Sequence, residues 1–322
     1  MPRTPLTDLL EIEHPIVSAG MGGGLADAEL AGRVSEAGAL GIIGASWLPA
    51  EEAGQMIRRA RELTDKPLGV NLLLFSNEEL LEPVLGEEPQ VLSTAWARED
   101  QDLASIFAAA HDRGAKVMHM VQTRAGAEAA AEAGADMIVA QGTEGGGHVG
   151  LLGTTVVVRQ VVKAVAPLPV VAAGGFVDGA GLVAALALGA HGVLLGTRFV
   201  ATDECPAPEY YKRAIVDSDG ENTVVTTVSD SLTGRDWPGA WARIARTRFV
   251  EEWLGRDPDV RRRRRELRSR LAAGDERGDV EEAIVWLGQS AGLIDSVLPA
   301  AGVVGTIVAE ADEVLRSLAA SG

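Results

Sequence analysis

The sequence predicts a (β/α)8 barrel with a mostly helical insertion after the eighth strand. Three observations carry this. Eight short apolar runs, each preceded or followed by an amphipathic stretch, occur up to Leu195. A helical stretch, then Gly-Ala, then an apolar run recurs at Gly38-Ala39, Gly114-Ala115, Gly134-Ala135 and Gly189-Ala190. Glycine just past a helix adopts the left-handed conformation at little cost, so this phrase reads as a repeated helix stop. The apolar runs also end in glycines or amides, where a barrel builds its sites. An open doubly wound sheet is the alternative.

In order, Ile16 to Ser18 is the first strand, running into Gly20-Met21-Gly22. Asp27 caps a helix from Ala28 to Ala37. Leu40 to Ala45 is the second strand, Pro49 to Leu63 a helix, and Leu68 to Leu74 the third strand, carrying Asn71. Asn77 to Leu85 reads as a short helix and Val91 to Ala95 as a strand. A helix from Asp102 to Asp112 precedes the strand Lys116 to Val121, and an Ala-rich helix from Ala125 to Ala133 precedes the strand opening at Met137. Then come a helix from Thr154 to Ala166, the strand Val170 to Ala173 ending in Gly174-Gly175, a helix from Gly179 to Leu188, and the strand Val193 to Leu195 ending in Gly196-Thr197. Residues 205 to 285 break the rhythm and hold Trp237, Trp241 and Trp253. They are expected to form a helical, substrate-side lid, with 1–204 and 286–322 as the barrel. Gly305 to Leu318 closes the chain as a helix.

A net charge of −17 excludes a general nucleic-acid or anionic-membrane partner. The run Arg261 to Arg265 is surrounded by acidic residues and reads as a solvated helix face. One cysteine, Cys205, rules out an internal disulfide and argues against a zinc site, so no metal is expected. No apolar run reaches the length of a membrane span, and a cytoplasmic protein is the default.

The stretch Met137 to Gly150 organises the chain. An apolar strand is aimed at a loop in which five of the nine residues after Gln141 are glycine, so backbone N–H groups can approach a flat or anionic ligand. His148 stands within that loop, where it can reach substrate and titrate near neutral pH. Gly174-Gly175 and Gly196-Thr197 end the seventh and eighth strands. Either pair alone is explained as well by a tight turn; two at adjacent strand ends favour a phosphate site. Asn71 and Gln141 both donate and accept, which suits a ribityl chain or a ring edge. His119 at the fifth strand's end is either a second active-site histidine or a satisfied core residue, and Met120 beside it reads as core.

Gly20-Met21-Gly22, Gly69-Val70-Asn71, QGTEGGGHVG (141–150), the segment 172–204 and GQSAGLID (288–295) together resemble the nitronate monooxygenase (2-nitropropane dioxygenase-like) family. They are also similar to the related FMN-dependent enoyl-ACP reductases. The resemblance covers residues 12 to 205 and 286 to 320. It implies a (β/α)8 enzyme that binds FMN. The phosphate would lie on Gly174, Gly175, Gly196 and Thr197, and the ring and ribityl chain along Gly20, Met21, Gly22, Asn71, Gln141, Gly145 and Gly146. It puts His148 beside the flavin as the catalytic residue. The family often has Glu-Ala-Gly-Gly-His where this chain has Glu144-Gly145-Gly146-Gly147-His148, and the additional glycine is expected to loosen the loop.

Three functions follow. In the first, an alkyl nitronate is oxidised by O2 to a carbonyl compound plus nitrite. His148 binds the nitronate when protonated, or takes the α-proton of a nitroalkane when neutral. In the second, an NAD(P)H-dependent reductase acts on an enoyl thioester or a quinone. The third is a flavin-binding protein without turnover, which His148 inside a full glycine loop argues against. The expected partners are small molecules, with a homodimer as the candidate assembly.

Overall fold

In a computed structural model describing residues 3–320, eight parallel strands form the inner sheet. They are β1 (Ile16–Ser18), β2 (Gly41–Gly44), β3 (Leu68–Leu73), β4 (Val91–Ala95), β5 (Lys116–Val121), β6 (Met137–Gln141), β8 (Val170–Ala173) and β9 (Gly192–Leu195). Between β6 and β8 lies β7 (Gly147–Val149), outside the barrel. The sheet order is β1-β9-β8-β6-β5-β4-β3-β2. Its two edges meet: Ser18 N donates to Leu40 O and Leu40 N to Ile16 O, both at 2.9 Å. A cylinder leaves no exposed sheet edge, and the predicted barrel is the fold.

The four Gly-Ala stops behave as the repeat implied. Gly38, Gly114, Gly134 and Gly189 have φ of 85°, 76°, 99° and 90°. The N–H of each following alanine reaches back to the helix, as Ala39 does to Val34 O. The helix turns out of its axis at once, and the next apolar run enters the barrel.

Strand alternation sorts the side chains. Val17, Leu40, Ile42, Val91, Met118, Met137, Val139, Val171 and Ala173 pack inside the barrel. Residues between them, such as Val117, Ile138 and Ala172, face the surrounding helices. A helix not anticipated from the sequence, Pro5–Leu10, closes the floor of the barrel: Leu6, Leu10 and Ile12 join the interior cluster. Its capping box of Thr4 and Thr7 explains why so short a segment is helical.

The segment after β9 is mostly helical and also contains two strands, β10 (Thr223–Thr226) and β11 (Trp241–Ala245). They pair antiparallel with each other, and β11 pairs with β7, so the glycine-loop segment joins a three-stranded sheet, order β10-β11-β7. A helix, Val228–Thr233, packs over this sheet through Val228 and Leu232 against Ile244 and Phe249. Arg261, Arg262, Arg263 and Arg265 are exposed, with Arg263 Nε donating to Glu266 at 2.9 Å, while the half-buried Arg264 donates to Ser231 O. The closing helix, Ala300–Ala320, starts five residues earlier than its sequence signal. Among the described residues no helix is long and apolar enough to cross a membrane.

Candidate active site

Inward positions of six of the eight strands open into one cavity at the C-terminal mouth of the barrel, of about 550 Å³, within the range of cofactor sites. Asn71, Ser93, Met120, Gln141, Ala173 and Leu194 line its base. The residues that the resemblance assigns to cofactor and catalysis all lie on it: Gly20, Met21, Gly22, Asn71, Gln141, Gly145, Gly146, His148, Gly174, Gly175, Gly196 and Thr197; His119 does not.

The amides at the base are held by neighbouring protein groups. Asn71 Nδ2 donates to Gly20 O at 3.1 Å, and its Oδ1 accepts from Ser93 Oγ at 2.9 Å. Gln141 Oε1 accepts from Gln122 Nε2 at 3.1 Å. Gly174 and Gly175 have φ of 91° and 87°, which side-chain-bearing residues adopt only with strain. A Cβ on Gly174 would lie 2.7 Å from Gly142 O. Beside them Gly196 leads into Thr197, whose Oγ1 accepts from Gly288 N at 3.0 Å. Gln289 N donates to Glu144 O at 2.9 Å. The segment GQSAGLID thus ties the Gly196-Thr197 turn to the glycine loop at Glu144.

Residues 141–150 are not loose. The Gly145 N–H closes a turn on Gly142 O, and Gly147 to Val149 pair with Arg243 to Trp241. A Cβ at Gly145 would meet its neighbours at 3.4 Å, ordinary contact, so the alanine common in the family would fit here. Glu144 in this loop is a helix cap. Its Oε2 accepts from Thr154 N at 2.8 Å and caps a helix, Thr154–Val165, that has no cap of its own.

His148 sits on β7 opposite Ala242, with its side chain 8% exposed. Its Nε2 lies 2.8 Å from Asp230 Oδ1. The Trp237 indole stacks on the imidazole at 3.4 Å and 11°, and Trp286 lies 5.2 Å away. Trp237 also packs against Trp47, Phe75 and Trp96. Trp47 and Trp96 hold φ of 67° and 56°. Such a backbone costs bulky residues energy and persists only where the surroundings over-determine it. Arg235 lies 3.8 Å over the Trp47 ring on the cavity wall. Asp230 and Arg235 escaped the sequence reading, and Trp237 was named there without a role. Their one signal was the tryptophan-rich character of the segment after Thr202.

His119 is the core residue of its two readings. Alternation turns it outward, against Phe107, while Met120, expected in the core, reaches the cavity. Its Nδ1 lies 2.8 Å from Thr94 Oγ1. Burial pushes its pKa down from 6.5 to about 4. The unfolded chain therefore takes up this proton before the folded chain does. Stability from the group is full above pH 6.5 and is lost as pH falls toward 4, by about 3 kcal/mol in all. Urea midpoints measured over this interval are expected to fall, and a His119→Gln chain to show a flatter slope. His111 and His191 are structural, bonded to Asp136 and to Val170 N, and the buried Cys205 Sγ donates to Leu25 O.

The glycine turns leave bare backbone on the cavity, with room for a flat, phosphate-bearing group, and two side-chain amides line the same cavity. The residues fit a flavin. This is the mouth of a barrel oxidoreductase that works through an organic cofactor. The chain belongs to the nitronate monooxygenase family, whose model matches residues 3–83 and 76–310, a family of flavin-dependent oxidoreductases. It is 36% identical to FabK from Thermotoga maritima, with all of both chains covered and a TM-score of 0.88. It is 31% identical to a nitroalkane oxidase from Streptomyces ansochromogenes, covering 97% of this chain and 99% of that one, with a TM-score of 0.85. It is 39% identical over 254 residues to a (3aS,4S,5R,7aS)-5-hydroxy-7a-methyl-1-oxo-octahydro-1H-indene-4-carboxyl-CoA dehydrogenase from Mycobacterium tuberculosis, which is 78% of this chain and 68% of that protein.

Proposed function

We propose that this protein is an FMN-dependent nitronate monooxygenase, converting alkyl nitronates and O2 to a carbonyl compound and nitrite. The observation that carries the reading is His148, placed on the same cavity as the glycine turns and held by an acidic partner. When bound, FMN supplies electron transfer from substrate to oxygen. Gly174, Gly175, Gly196 and Thr197 would hold its phosphate through backbone N–H groups, with Asn71, Gln141 and Gly20 to Gly22 along the ring and ribityl chain.

The chain's own residues do the rest. Neutral His148 takes the α-proton of a nitroalkane; protonated, it binds nitronate oxygens. Arg235 puts a cation on the wall of a protein whose net charge of −17 repels an anionic substrate. Trp237 and Trp286 cover the imidazole and limit water. The segment 205–285 is the substrate-side lid, and the enzyme works in the cytoplasm.

A second reading is an FMN-dependent NAD(P)H reductase of an enoyl thioester or quinone. The identities of 36% to FabK and 39% to a CoA-ester dehydrogenase favour it. Anaerobic mixing separates the two. A preformed alkyl nitronate is expected to bleach the flavin absorbance, with nitrite appearing once air enters. Rapid bleaching by NADH or NADPH with nitronate inert would establish the reductase instead.

A further inference from the structure

The insertion after β9 holds His148 in three ways. Its β11 pairs with the histidine's own strand, Ala242 opposite His148. Its Trp237 covers one face of the ring at 3.4 Å. Its Asp230 takes up Nε2 at 2.8 Å, with both side chains largely withdrawn from solvent, at 8% and 13% exposure. The barrel alone would leave this imidazole free to rotate and to exchange tautomers.

We propose that Asp230 is a positioning residue for His148, fixing the proton on Nε2 so that Nδ1 is the atom that accepts the substrate proton. The inference rests on the nitroalkane-oxidising reading of the site and deepens it. An ionised carboxylate only accepts hydrogen bonds, so the ring nitrogen facing it must carry the hydrogen. Nδ1 has no hydrogen-bond partner among the described residues and keeps its lone pair in the neutral ring. In the step itself the substrate C–H bond breaks and its electron pair delocalises onto the nitro group, giving the nitronate. The proton forms a new N–H bond at Nδ1. The positive charge that appears on the ring then lies beside the Asp230 carboxylate.

Asp230 is itself fixed. It lies on the helix Val228–Thr233, and Ser229 Oγ donates to its Oδ1 at 3.3 Å. Asp230 and His148 both line the cavity. A merely structural ion pair would stitch β7 to the insertion, and its loss would affect every substrate alike.

Two measurements on the FMN-loaded enzyme decide between these. The first is the imidazole 15N spectrum of histidine-labelled protein, with His148 assigned from a His148→Gln sample. The wild type is expected to show the Nε2–H tautomer, and Asp230→Asn to shift it toward Nδ1–H, because an amide can donate to Nε2. The second is turnover of a neutral nitroalkane beside that of its preformed nitronate. Asp230→Asn is expected to cost about 100-fold or more on the nitroalkane and about threefold or less on the nitronate, with Asp230→Glu recovering part of the loss. An unchanged tautomer, or equal losses on both substrates, overturns the proposal. A wild type that oxidises neither substrate sinks the monooxygenase reading. The tautomer result still stands or falls for Asp230 alone in that case.

Discussion

Replacing His148 by alanine is expected to lower turnover of a neutral nitroalkane by about 10²–10⁴-fold, the usual worth of a general base, while the protein stays yellow. The two effects separate because the residue's roles separate. Its backbone belongs to β7, and pairing with β11 needs no imidazole. The flavin cradle proposed above would be built from other residues, on the strand ends and the glycine turns that line the cavity. In the proposed mechanism the ring alone carries the proton. With a preformed nitronate the loss should be smaller, since no C–H bond then has to break. Some stability goes too. Trp237 loses the ring stacked on it at 3.4 Å, and Asp230 is left with Ser229 Oγ as its side-chain partner. Burial of a carboxylate with one donor fewer costs about 1–3 kcal/mol. Flavin absorbance, a thermal melt and the two-substrate comparison should therefore be read together. Full nitroalkane activity in a folded, flavin-loaded variant would remove His148 from the chemistry.

The fold was legible because its punctuation is local. The four Gly-Ala stops reflect a backbone requirement met within a few residues, and the strands Val91–Ala95, Lys116–Val121 and Val170–Ala173 fall where the apolar runs lie. The glycine turns were legible for the same reason. What escaped notice depends on long-range pairing. β7 is a strand only because β11, almost a hundred residues on, lies beside it. GHV carries no alternation of its own. Asp230 means nothing in sequence until a short helix sets it beside His148. His119 and Met120 show the limit in another form. Both are plausible strand-end residues, and only the parity of β5, set by Met118 inside the barrel, decides which one meets the cavity. The helix Pro5–Leu10 was missed because its core is the barrel floor, which does not exist until the sheet closes.

Gly174→Ala is expected to yield a folded but colourless protein, with FMN affinity reduced at least about tenfold. A φ of 91° costs an L side chain about 1–2 kcal/mol before any contact is counted. The added Cβ would then lie 2.7 Å from Gly142 O and 3.0 Å from Gly145 N, both backbone atoms. Backbone cannot swing aside as a flexible side chain can, so the turn from Gly142 to Gly145 must move. That turn adjoins Glu144, whose carboxylate caps the helix Thr154–Val165 and whose carbonyl accepts from Gln289. The displacement therefore spreads through the segments that shape the cradle, while the barrel core stays intact. Gly305→Ala is the matched control. It lies in the helix Ala300–Ala320, where a Cβ meets nothing within 4 Å, and should gain up to about 1 kcal/mol with flavin unchanged. Flavin content after desalting, circular dichroism and FMN titration distinguish the two variants. If Gly174→Ala retains FMN as tightly as the wild type, the glycine pair is a turn and not a phosphate cradle. The cofactor must then be anchored elsewhere on the cavity wall.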